Sequence, residues 1–190
     1  MTLLNQTLTP QTPKHKKYMN ALHDTEPRWF AVLTRAKCEK FVQRALTKKG
    51  IHAYVPLLRM LRRYTRSTRM TEKPIITGYV FVKITRADYL TVLETENAAG
   101  FVRFDKDLSA IPEAEIEILR RVALEDGLDV AVVPGFLAEG DLVEISGGAL
   151  TGLRGRIVKT EGKRRFQVVL EQLGYSLLIT VDAVFLGRVS

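Results

Sequence analysis

The sequence predicts an α+β protein. An α/β sandwich, with an antiparallel sheet and its helices on one side, precedes a small five-stranded β-barrel. Three observations carry this. The stretch Lys73–Lys83, KPIITGYVFVK, sets a β-branched and aromatic strand behind a turn. Between Arg28 and Ala123, strand-like and helix-like periods alternate, as in a sheet covered by helices. From Leu137 the helical period stops and short apolar runs alternate with glycine turns. Closing such strands into a barrel removes exposed edges.

The elements follow in order. Residues 1–27 are rich in Thr, Gln, Asn, Lys and Pro, with Lys14, Lys16 and Lys17 around His15, and read as a mobile extension. Arg28–Thr34 is the first strand. Lys37–Lys49 is a helix, with Cys38, Phe41, Val42, Ala45 and Leu46 on one face and lysines and Arg44 on the other. That spacing turns Cys38 toward the core, as a structural thiol. Gly50 ends the helix. Ile51–Leu58 reads as a second strand. Arg86–Thr95 is a short helix with Tyr89, Leu90 and Leu93 inward, and Phe101–Phe104 is a further strand. Pro112 opens a last helix, whose first-turn Glu113 and Glu115 suit its dipole and whose Ile116, Leu119 and Ala123 share a face. Glu115 and Glu117 read as helix surface.

Residues 28–124 thus form one domain. Asp126-Gly127 and Pro134-Gly135 mark 125–136 as a linker. Residues 137–190 form the barrel, with strands at Leu142–Ser146, Gly155–Thr160, Arg165–Leu170, Leu177–Val181 and Val184–Arg188.

Composition limits the function. The 190 residues are 46% hydrophobic, as in ordinary globular chains, and no apolar run reaches a membrane span. With no signal-peptide core, a cytoplasmic location is expected. One cysteine and three scattered histidines offer no disulfide framework and no metal set. No nucleophile–base pair, carboxylate pair or phosphate loop appears, so neither an enzyme nor a cofactor is expected. The net charge of +8 favours a polyanionic partner, most simply nucleic acid.

Two stretches concentrate the functional signal. In the central strand Tyr79 and Phe81 share one face, and Val80 and Val82 share the other. With one face on the helices, the second can present aromatics to a partner. The segment Arg59–Lys73 holds Arg59, Arg62, Arg63, Arg66, Arg69 and Lys73 against one acid, Glu72, with Tyr64 among them. Arginines with an interleaved aromatic suit phosphate pairing and base stacking.

The barrel segment Gly140-Asp141-Leu142-Val143-Glu144-Ile145, with Gly147-Gly148, Gly152 and Gly155-Arg156-Ile157-Val158, resembles the KOW motif. The opening RWFAVLT, the helix with Glu39, the strand PIITGYVFV and the run FVRF resemble the NGN domain of the NusG family. The resemblance spans about residues 28 to 189. It implies a transcription elongation factor whose NGN groove grips the clamp helices of the largest RNA polymerase subunit. Groove positions fall at Leu33, Ile76, Tyr79, Phe81 and Phe104. The loop that meets the gate loop falls at Asp88, Tyr89 and Leu90. Arg35 and Lys37 match positions that meet non-template DNA, and the basic hairpin lies where the family approaches upstream DNA. Leu173, Gly174 and Tyr175 fall on the KOW surface that meets ribosomal protein S10. Leu173-Gly174 replaces the Phe-Gly of general NusG there, which speaks against Rho.

Thr77-Gly78 in place of the family's Pro-Gly, the basic leader and the arginine hairpin resemble specialised paralogues of the RfaH and UpxY type, whereas Glu96 departs from the RfaH subgroup, which carries a DNA-facing arginine there. The resemblance therefore implies a monomeric antitermination factor for particular operons, such as those for polysaccharides. The alternatives are a general NusG or a ribosome- or RNA-binding KOW protein. The β-branched Val168, Val169, Ile179 and Val181 predict a constitutive barrel rather than a helical alternative.

Overall fold

The computed structural model describes residues 20–64, 67–103, 106–137, 140–160 and 163–188, with the side chains of Arg62, Arg63, Tyr64, Lys163 and Arg188 left aside. The first domain is built on β1 (Arg28–Thr34), α1 (Glu39–Lys48), β2 (His52–Tyr54), β3 (Leu57–Tyr64), β4 (Ser67–Pro74), β5 (Tyr79–Ile84), α2 (Tyr89–Leu93), β6 (Ala98–Phe101) and α3 (Glu113–Leu124). Its antiparallel sheet has the order β2-β5-β1-β6, and β3 and β4 form a separate two-stranded hairpin.

Strand alternation divides the sheet's side chains. Phe30, Val32, Val80, Val82 and Ile84 point to one face, where Val42 and Leu46 of α1 and Val92 of α2 complete a buried cluster. Trp29, Ala31 and Phe81 point to the other, toward Ile116, Leu119 and Val122 of α3. Helices therefore cover both faces, not one. The apolar stripe of α3 made this legible only once its partner face was known.

The polar segment before β1 belongs partly to this domain. Leu22 is only 6% exposed and sits in the α1/α2 cluster. The N–H of Ala21 donates to the Leu108 carbonyl, and that of Arg86 donates to the His23 carbonyl, each at 2.9 Å. Residues 20–27 are thus packed, while the remainder of the expected extension lies outside the described residues. One leucine among polar neighbours gives no period, so the sequence showed nothing.

Smaller differences have local causes. Phe41 and Leu90 are exposed, and Val92 takes the inward place in α2. Cys38 is the N-cap just before α1 and, as expected, turns toward the core, where it packs half-buried against the α1/α2 cluster. The chain bends at Pro56, so the expected second strand splits between β2 and the hairpin. The strand near Phe101 ends there, and Phe104 lies outside the described residues.

The second domain is one antiparallel sheet in the order β12-β8-β9-β10-β11-β7. Its strands are β7 (Val130–Pro134), β8 (Leu142–Ile145), β9 (Arg154–Thr160), β10 (Lys163–Leu170), β11 (Tyr175–Ile179) and β12 (Leu186–Arg188). Five correspond to the expected barrel strands. The sixth, β7, comes from the segment expected to be a linker, and pairs with β11 from Val130↔Ile179 to Pro134↔Tyr175. Its flanking turn dipeptides are real turns, but VAVV between them has strong strand character. Gly155 allows close strand contact, because a Cβ there would lie 2.3 Å from the Gln167 carbonyl oxygen. The fold matches a mixed α/β domain followed by a KOW-like barrel.

If residues 20–27 are structural, Leu22→Ala should lower the stability of the first domain by about 2–4 kcal/mol, as for other buried leucines. Urea unfolding followed by Trp29 fluorescence measures this, and an unchanged midpoint would refute it.

Candidate functional site

The sheet face carrying Tyr79 and Phe81 is a small grid set by register. Leu33 pairs with Tyr79, Ala31 with Phe81, and Trp29 with Lys83 across β1 and β5. Tyr54 and His52 of β2 lie opposite Phe81 and Lys83. One end of the grid is closed by α3. The indole N–H of Trp29 donates to the Glu113 carboxylate at 2.7 Å, and Lys83 donates to the same group at 2.9 Å. The Arg120 guanidinium stacks over both Trp29 and Tyr54. Burial pushes the Tyr54 phenol up to about 12.

The other end is closed by the second domain. The Tyr79 and Tyr175 hydroxyls meet at 3.1 Å, with their rings edge to face at 5.9 Å. Burial, and then this hydrogen bond, raises the Tyr79 phenol to about 12. Ile76 and Phe81 belong to one continuous apolar cluster with Leu173, Leu177 and Phe166 of the second domain. α3 is the middle layer. Its Arg121 donates to the Ala149 and Thr151 carbonyls, and its Glu115 accepts the Gln172 N–H at 3.0 Å. Just beyond it, Glu125 accepts the Ala149 N–H at 2.9 Å.

Glu115 is therefore no surface residue. It is 8% exposed, its Oε2 is buried without a hydrogen-bond partner among the described residues, and burial holds its pKa above the usual carboxylate value. The signal was present in the sequence. Glu115, Leu119 and Val122 recur at helical spacing, so a carboxylate interrupts an apolar stripe.

The structure brings two expected sites together. Ile76, Tyr79 and Phe81 from one meet Leu173 and Tyr175 from the other, and Gly174 (φ 68°) turns the chain between them. Leu33, at 40% exposure, stays open at the margin, while Ile76 and Phe81 are buried. Glu39, 4% exposed, accepts the Gly78 N–H at 2.7 Å and so fixes the turn that launches β5.

The expected gate-loop residues divide. The Asp88 carboxylate caps its own turn by accepting the Thr85 N–H and hydroxyl. Tyr89 stacks on Phe101 at 4.8 Å, and Leu90 alone is freely exposed, at 63%. Arg35 and Lys37 are exposed beside the start of α1.

The basic segment is the β3–β4 hairpin. Arg59 lies opposite Glu72, Leu61 opposite Met70, and Arg62 opposite Arg69. Leu61 and Met70 are more than half exposed, so the hairpin shows apolar surface beside its cations. Lys40 pairs with Glu72 at 2.7 Å and lowers that carboxyl's pKa, so the segment's single acid is neutralised from α1. Arg66 lies outside the described residues. Among those described, no His/Cys/Asp/Glu group could hold a metal, and no helix is long and apolar enough to cross a membrane.

Residues 27–120 match the model of the family described as NusG, transcription termination factor. The transcription termination/antitermination protein NusG of Streptococcus pyogenes serotype M1 is 25% identical over 165 residues, covering 81% of this chain and 92% of the relative. The protein of the same name from serotype M18 matches to the same extent. A solved structure titled "Domain interaction in Thermotoga maritima NusG" aligns over 87% of this chain and 98% of its own, with a TM-score of 0.51 and 20% identity, a likeness of fold.

The raised pKa of Glu115 gives the domain contact a pH dependence. The packed arrangement would hold the proton more tightly than one with the domains apart, because burial raises the Glu115 pKa. Its stability is therefore full below the ordinary carboxylate pKa and falls as pH rises through the raised value. Small-angle scattering of the full chain should show expansion between acid and neutral pH, and Glu115→Gln should flatten that response. An equal response in the variant would exclude Glu115 as its origin.

Proposed function

The chain belongs to the NusG family, and from that premise we propose that RNA polymerase docks on the face formed by Leu33, Ile76, Tyr79 and Phe81 once the second domain has moved aside. The chain is a NusG-like transcription termination/antitermination factor, and proteins of this family bind RNA polymerase. The observation that carries the docking proposal is the cover over this face. An apolar patch that the protein shields with its own second domain is one that a protein partner can take over. Such exchange lowers apparent affinity by the fraction of molecules that are open. Docking on the clamp then favours an active polymerase and suppresses pausing or termination.

The remaining surfaces suit the same assembly. Leu90, exposed on α2, meets the gate loop, with Asp88 and Tyr89 holding its turn. The family resemblance adds Phe104 to the polymerase-contacting residues. Arg35, Lys37 and the hairpin cations Arg59, Arg62, Arg63, Arg66 and Arg69, with Tyr64, hold upstream or non-template DNA. The tip Leu173-Gly174-Tyr175 becomes reachable for ribosomal protein S10 after opening. This charge distribution fits a specialised antitermination factor acting at particular operons.

Two variants test the docking face, measured as binding of the full chain to bacterial core RNA polymerase. Leu33 is already exposed, so Leu33→Glu should leave the fold intact and weaken binding at least about tenfold, or 1.4 kcal/mol. Tyr175→Ala should loosen the cover and strengthen binding. Unchanged binding by Leu33→Glu would overturn the assignment.

A further inference from the structure

The docking face, the hairpin and the 173–175 tip leave one feature unassigned, the outer edge of β7. This strand pairs with β11 on one side and ends the sheet. Residues along an antiparallel pair alternate between bonded and non-bonded positions. The Gly135 N–H donates to the Gly174 carbonyl at 2.8 Å, and the Thr180 N–H donates to the Asp129 carbonyl at 3.0 Å. Residues 129, 131, 133 and 135 therefore direct their backbone groups to β11. Val130 and Val132 turn theirs outward, and Pro134 turns out a carbonyl alone. Among the described residues no other backbone group pairs with them. Pro134 sits where an edge strand accepts proline, since the missing N–H breaks no ladder bond. The rest of the strand, VAVV, has neither charge nor bulge to close the edge to another strand.

The edge forms one wall of a groove of about 460 Å³ between the domains. Leu58, Ile75 and Ile76 of the first domain face Leu128, Val130 and Val132 across it. The wall is held at both ends. Before it, the Gly127 N–H donates to the Arg59 carbonyl at 2.9 Å, and after it the Ser176 hydroxyl donates to the Gly135 carbonyl at 2.7 Å. Two charged residues, Lys73 and Asp129, line the groove. Asp129 is engaged, lying 3.4 Å from Arg165 and accepting the Thr180 hydroxyl at 2.9 Å. Lys73 is exposed, and among the described residues its ammonium has no hydrogen bond or ion pair. Register explains why. Lys73 stands opposite Leu58, whereas Glu72 stands opposite Arg59 on the other face of the hairpin and pairs with Lys40.

We propose that this groove binds an extended acidic peptide segment, which adds to β7 as a further strand and sets a carboxylate against Lys73. The outward N–H and C=O groups of Val130 and Val132 recognise another backbone, so an extended chain fits better than a compact small molecule. Alternation along that chain turns every second side chain toward the apolar wall. Lys73, on a protein of net charge +8, selects an acidic sequence. The volume lies within the range of about 300–1,000 Å³ usual for ligand sites. Both domains wall the groove, so the peptide binds the packed arrangement. The site requires nothing of polymerase docking and stands independently of it.

The test uses the full chain and fluorescein-labelled heptapeptides of alternating Thr and Val, with one Glu moved along the set. By fluorescence anisotropy, at least one member should bind with Kd below about 1 mM. That member is then N-methylated on its odd or on its even amides. One methylated form should lose binding by about tenfold or more while the other stays within about twofold, because only alternate amides of an added strand face its neighbour. Lys73→Ser should keep its melting temperature, since the ammonium supports no other contact. It should weaken the Glu peptide about fivefold, the upper range for an exposed ion pair, and spare the same peptide with Gln. Lys48→Ser on α1 should leave binding unchanged. No binding by any member, equal losses for the two methylated forms, or an equal response of Lys73→Ser to the Glu and Gln peptides would overturn the proposal. Amide hydrogen exchange gives a second readout. Slowed exchange at Val130 and Val132 on peptide addition supports the site, and protection confined to the hairpin refutes it.

Discussion

The structure depends on the burial of α3 between two sheets. On one side the helix covers Trp29, Ala31 and Phe81, and its Ile116, Leu119 and Val122 join a cluster that continues into the second domain. Without α3, the grid on β1 and β5 and the apolar tip of the second domain would both face water. The helix ties them with unlike contacts on its two sides. Glu113 and Arg120 lock it to the sheet through Trp29, while Glu115 and Arg121 reach the second domain.

Magnitudes separate the roles of these contacts. A neutral hydrogen bond such as Tyr79 to Tyr175 contributes about 0.5–1.5 kcal/mol net. Burying one large apolar side chain contributes about 1.5–3 kcal/mol. Ile76, Phe81, Leu173 and Leu177 therefore supply most of the attraction between the domains, and the polar contacts fix how they sit. Glu115 acts against cohesion, since half of its carboxylate is buried without a partner. A buried polar group of that kind sets geometry at a cost in stability. The contact is thus specific without being maximally tight.

Much of this was legible from periodicity. β1, β5, the hairpin, α3 and five barrel strands follow from alternation, helical spacing and glycine turns. What escaped was set by tertiary context. Leu22 packs alone from a polar segment, and β7 forms because β11 offers an edge to VAVV. Phe81 was legible as one of a face but not as fully buried, since its cover comes from a part of the chain some ninety residues later. Helical spacing placed Leu90 inward, but Val92 fills that place in so short a helix. The family resemblance located the two expected sites separately. Only the three-dimensional arrangement set them against each other.

That opposition separates the molecule's apolar surface from its charged surface. The apolar faces cancel each other in the closed arrangement, whereas the charges do not. Arg59 and Arg69 on the hairpin, and Lys159 and Arg164 at the far end of the barrel, stay exposed with the domains together. Electrostatic attraction is long-ranged and needs little orientation, so these cations can govern encounter before any domain movement. Apolar docking is short-ranged and requires the cover to leave. If polymerase docks as proposed, the order of events follows from those ranges: charge brings the closed molecule to its target, and exchange of one apolar partner for another holds it there. Keeping the cations off the domain interface avoids the cost of burying them in either state, so opening exchanges chiefly apolar surface and a few polar contacts.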